Sequence, residues 1–161
     1  VNLRQANLSE INLTKIKFCR ANLTAANLSG TILREANLNE SILTRAILWR
    51  TNLQKANLRE ARLDRAMLIR TNLAQAVLHK SLFNNADMRL ACLREADLRD
   101  ADLSGANLSY ADLNSANLKG ANLSYAILTG ACLANTDLTN TNLDGIIADK
   151  VDLSQTILAS S

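Results

Sequence analysis

The sequence is short of the residues that large-side-chain cores and active sites draw on. Its 161 residues include no proline, one histidine, one tryptophan and 3% aromatic residues overall. So few rings argue against an interior built from large, irregularly interlocked side chains. Apolar runs reach four residues at most, as in Ala46-Ile47-Leu48-Trp49. A membrane-crossing helix needs about 20 apolar residues in a row, so no direct membrane insertion by this segment is expected. No basic start followed by an apolar stretch reads as a secretory leader. The first residue is not methionine, and the expectation is a single domain spanning 1–161, cut from a longer chain.

What the sequence has in excess is leucine at a fixed spacing. Of the 32 positions 3, 8, 13 and onward to 158, 28 are Leu; the others are Phe18, Phe83, Met88 and Ala148. Two residues before each lies a small or β-branched residue, Ala in 19 of 32 cases. The residue just before the Leu is Asn or Asp in 19 of 32 cases. The register never slips, so the chain is one continuous array with no internal boundary.

A period of five excludes a helix. Five helical residues advance about 500°, so successive leucines would rotate by about 140° and visit every side of the helix. An extended backbone alternates sides, which puts Ala in, Asn out and Leu in. The two remaining residues, rich in Ser, Thr, Arg, Glu, Gly and Asn, must turn a corner in solvent. Repetition winds an all-β solenoid whose coils pair edge to edge, roughly 4.8 Å apart. Thr31, Thr51 and Thr71 occupy the small inward site at intervals of four repeats. Stacked Thr side chains on successive coils would hydrogen-bond along the stack, which favours four sides per coil.

Strings such as Ala106-Asn107-Leu108-Ser109-Tyr110 and Ala96-Asp97-Leu98-Arg99-Asp100 resemble the pentapeptide-repeat family, whose consensus is A(D/N)LXX. The resemblance covers the whole chain. It implies a right-handed quadrilateral parallel β-helix of 20-residue coils, about eight of them here. It also implies a bacterial source, since such repeats abound in cyanobacteria, often appended to other domains, some of them in membrane-anchored proteins. Phe83 and Met88 fall on one coil and should cause a local adjustment, and Ala148 should leave a gap.

On a convex solenoid, catalysis has little to work with. His79 is alone at an outward corner and offers neither a triad nor a metal cluster. Acids such as Asp100 and Asp102 lack a cleft that would raise a carboxyl pKa. Gly30, Gly105, Gly120, Gly130 and Gly145 are single corner residues, not a phosphate loop. No catalytic residue, cofactor or metal ligand is expected, and the chain reads as a non-enzyme. Cys19, Cys92 and Cys132 face outward. Cys92 and Cys132 share a column two coils apart, beyond disulfide reach. Three free thiols suit a reducing, cytoplasmic setting.

Charge is unevenly spread. Residues 41–80 carry eight Lys or Arg and two acids, net +6, whereas residues 121–161 carry one and four, net −3. Within the family, gyrase inhibitors mimic DNA with a broadly acidic surface, and this chain's basic first half disfavours that role. A basic belt of Arg45, Arg50, Lys55, Arg59, Arg62, Arg65 and Arg70 offers an alternative, weak binding of nucleic acid or an acidic partner. Column neighbours should pair locally, Glu35 with Lys55 and Glu60 with Lys80. A four-repeat spacing stacks Ile47 and Trp49 beside Met67 and Ile69, then Leu90, ringed by Arg50, Arg70 and Arg89. A Trp, Met and Arg patch on an Asn-rich wall fits a protein interface or self-association. The expected role is therefore an interaction scaffold.

Overall fold

The computed structural model describes residues 1–158. Among them there is no α-helix, and extended structure is limited to one paired residue per repeat. Each pairing is parallel and spans 20 residues, as in Asn7↔Asn27↔Ile47↔Met67↔Asp87. One circuit therefore takes four repeats, and the chain climbs as a four-walled β-helix.

The repeat at Thr51–Lys55 shows why this backbone is stable. Asn52 N–H donates to Thr31 O in the coil before (3.0 Å), and Leu53 N–H donates to Asn72 O in the coil after (2.7 Å). Lys55 N–H reaches Ala74 O at 3.0 Å, and Ala56 N–H closes the corner onto Leu53 O at 3.0 Å. That leaves the N–H of Gln54, which donates to the Asn52 Oδ1 at 3.1 Å. The Asn or Asp before each Leu thus satisfies a backbone donor that the ladder leaves over. This explains its frequency better than solvent preference does.

The corner itself is strained. Every fifth residue from Gln5 to Lys150 has a φ between 55 and 71°. Closure of the turn demands this left-handed conformation at its third residue, whichever side chain is present. Glycine meets the demand without strain only at the five corners already named.

Leucines fill the interior. From Leu23 to Leu128 the column is sealed, and Phe83 and Met88 are both 0% exposed. The local adjustment expected at Phe83 and Met88 is absent, since Phe83 N–H still reaches Asp102 O at 2.7 Å and Met88 N–H reaches Asn107 O at 2.8 Å. Each buried Leu contributes about 1.5–3 kcal/mol of transfer free energy, offset by backbone ordering. The threonines do not bond to one another as expected. Thr31, Thr51 and Thr71 instead donate to Leu8, Leu28 and Leu48 carbonyls in the coil before, at 2.6, 2.7 and 2.7 Å. A carbonyl has a second lone pair available after closing the turn, and it lies nearer than the next hydroxyl.

Ala148 is partly buried against the core. The cavity near this end, about 370 Å³, opens on the following wall between Ala131–Ala134 and Lys150–Gln155, and Ala148 does not line it. There the pairing Asp112↔Cys132 is not continued to Asp152.

Candidate interaction face

The wall formed by residues 46–50, 66–70 and 86–90 carries the patch. Asn is replaced at its outward site by Ile47 and Met67, which lie next to each other in the ladder and are 37% and 43% exposed. Trp49, at the first corner residue, has no interior to enter and is 42% exposed. Ile69 beside it is half-buried. Leu90, one coil on, is 47% exposed at a corner with φ 58°.

The arginines divide into two kinds. Arg89 makes a two-pronged contact with Asp87, Nε to Oδ1 and Nη2 to Oδ2, both at 2.8 Å. Its charge is spent within the wall and does not ring the patch as expected. Arg45 and Arg65 stack on the corner that opens this wall, and Arg50 and Arg70 on the corner that closes it. All four are exposed, and among the described residues none has a carboxylate partner. Arg50 lies over the Trp49 ring, 5.2 Å from its centre. Gly30, one coil back, leaves a small cleft bordered by Glu10, Trp49 and Arg50.

The rest of the basic belt is dispersed. Lys55 occupies a third corner. Arg59 is held by Glu60 at 3.2 Å and Arg62 by Asp64 at 3.5 Å. The belt encircles the solenoid, so a nucleic acid lying on one side would meet only part of it. Expected column pairs also differ: Glu35 contacts Lys15 at 3.5 Å and Arg34 at 3.6 Å, not Lys55, and Glu60 is taken by Arg59. An adjacent side chain on the same corner competes well with one a coil away.

Tyr110 extends the patch and escaped the sequence reading. It follows Leu90 by 20 residues in the same corner column, is 58% exposed, and lies over Gly130. The spacing 50, 70, 90, 110, 130 was the available signal.

His79 is not a solvated side chain. It is 19% exposed, and its Nδ1–H donates to Arg99 O at 2.9 Å, since a carbonyl can only accept. Cys19 and Cys132 are exposed, Cys92 is half-buried, and all three are free thiols. Cys92 and Cys132 each pair with Asp112 from opposite sides, which places them two coils apart. Among the described residues no three His, Cys, Asp or Glu side chains group to hold a metal ion, and no helix is long and apolar enough to cross a membrane.

A family model for pentapeptide repeats, eight copies, matches residues 1–34, 21–59, 31–68, 61–100 and 101–140. The chain belongs to the pentapeptide-repeat family. Its solved members fold as right-handed quadrilateral β-helices, as the four-walled ladder does here. A trypsin-treated form of QnrB1, a plasmid-mediated fluoroquinolone resistance protein, is similar in fold, with TM-score 0.66 at 18% identity over 89% of this chain and 90% of its own. HetL, a pentapeptide-repeat protein involved in heterocyst differentiation regulation in the cyanobacterium Nostoc sp. strain PCC 7120, shares 29% identity over 98% of this chain and 89% of its own, with TM-score 0.36. Rfr23 from the cyanobacterium Cyanothece 51142 shares 26% over 94% and 90%, with TM-score 0.28. No curated protein matches significantly. A bacterial, cyanobacterial-type origin is consistent with these relatives.

Proposed function

We propose that this chain is a non-enzymatic interaction scaffold, a rigid stack of about eight coils that docks a protein through the wall centred on Trp49. The observation that carries this reading is the contiguous outward row of Ile47, Trp49 and Met67, continued by Leu90, on a surface that is otherwise mostly polar and charged, with other exposed apolar residues such as Ile32, Val77 and Tyr125 at separate sites. Aromatic anchors surrounded by aliphatic side chains and arginine dominate many protein contacts. Among the described residues no three metal-ligating side chains group together, and the one histidine is committed to a backbone carbonyl. Three free thiols favour a reducing, cytoplasmic site of action, on a parent chain that can itself be membrane-anchored.

The test pairs two measurements on Trp49→Ala. The melting temperature should stay nearly constant, because the indole points away from the Leu columns. Partner binding, or self-association where the partner is another copy, should weaken by about 2 kcal/mol or more. A marked loss of thermal stability with every association intact would make Trp49 a wall-packing residue and end the docking role.

A further inference from the structure

We infer that the element received by this face is an acidic amphipathic α-helix of the partner protein, lying along the solenoid axis. The inference rests on the docking role of the Trp49 wall and adds the chemistry of what docks there.

Charge is the first argument. Arg45 and Arg65 border one edge of the apolar row and Arg50 and Arg70 the other, and none has a carboxylate partner among the described residues. Other arginines are neutralised at close range, as Asp87 does Arg89 on the third coil of this wall and Asp97 does Arg99. Two pairs of exposed guanidiniums flanking an apolar strip complement an apolar stripe with carboxylates on both flanks.

Spacing is the second. Each arginine pair steps by one coil, about 4.8 Å. Residues three or four apart on a helix are separated by about 5–6 Å, so helical carboxylates in that spacing meet successive arginines.

The third argument excludes a strand. The wall's own backbone is spent on its neighbours: Ile47 N–H on Ala26 O at 2.9 Å, Leu48 N–H on Met67 O at 2.8 Å and Met67 N–H on Ala46 O at 2.9 Å. An added strand would find no row of free groups there, so the partner must bind through side chains, as a helix does. Between the arginine edges, Ile47, Met67 and Ile69 give a phosphate backbone nothing to bond, which favours an apolar stripe over nucleic acid.

Trp49 is the sole tryptophan, so its emission reports on this wall alone. The probes are two helical peptides with one leucine stripe, flanked by Glu in the first and by Lys in the second. The Glu peptide should shift Trp49 emission to shorter wavelength, saturably, and bind at least about tenfold tighter than its Lys twin. Charge reversal at Arg45→Glu with Arg50→Glu should invert that preference, and Lys55→Glu, on another corner, should leave it intact. Equal binding of the twins, or no shift with either, overturns the acidic-helix assignment. So does a shift produced by phosphatidylserine vesicles or a single-stranded oligonucleotide but not by the Glu peptide. Loss of natural partner binding in Trp49→Ala alongside equal twins would leave docking standing and remove only the helix's acidity.

Discussion

The Arg50 guanidinium carbon stands 5.2 Å from the centre of the Trp49 indole, close enough for attraction to the ring face. Both side chains are exposed, so the contact orients the patch more than it stabilises the fold. Arg50→Ala should cost less than about 1 kcal/mol of stability. It should also make Trp49 emission more readily quenched by acrylamide. Unchanged quenching would mean that Arg50 does not cover the ring.

Two buried hydroxyls predict opposite signs. Thr51 donates to Leu28 O at 2.7 Å, whereas the buried Ser41 Oγ has no partner. Thr51→Val should destabilise by about 1 kcal/mol in denaturant melts, through loss of a satisfied hydrogen bond. Ser41→Ala should be neutral or stabilise by up to about 1 kcal/mol, since it removes an unpaired polar group. Equal losses from both would contradict this assignment of bonds.

Gly130 sits at φ 66°, with the Tyr110 ring over it where a Cβ would point. Gly130→Ala should cost about 1–2 kcal/mol from the left-handed backbone, with an added cost from displacing the ring. Combining it with Tyr110→Ala should recover only the ring's share, which a double-mutant cycle measures.

The Asp97 carboxylate accepts Arg99 Nε at 2.7 Å and Nη2 at 2.6 Å. The hydrogen-bonded Arg99 holds it below the usual carboxylate range, against the opposing effect of partial burial. A group depressed in the folded state binds protons more readily when unfolded. Its contribution is therefore present above the ordinary carboxylate range and lost as pH falls through and below it. Acid titration of stability should show that loss, and Arg99→Ala should make it smaller. A loss unaltered in Arg99→Ala would place the acid sensitivity elsewhere.

The winding was legible because each repeat states it again: small residue in, Asn out, Leu in, then two corner residues. The 20-residue circuit was favoured by the Thr31, Thr51 and Thr71 column and implied by the family resemblance, although the target of those hydroxyls was not legible. That target is a carbonyl 23 residues back, set by how coils stack and not by any local pattern. The positive φ at corners such as Arg65 and Tyr125 was equally hidden, because side chains that normally avoid it are forced there by closure of the turn. In the patch, the row from Ile47 to Leu90 followed from spacing. The division of the arginines did not, since Asp87 captures Arg89 only through the geometry of two outward sites on one wall.

The most direct test of docking through this wall places a photo-crosslinking benzoylphenylalanine at single positions of the native full-length protein, in cells that make it. Positions 49 and 67 lie on the wall, and positions 54 and 115 lie at outward sites of another side. The account predicts one shared adduct from 49 and 67 and none from 54 and 115. Adducts of equal yield from all four positions, or from 54 and 115 alone, would contradict it.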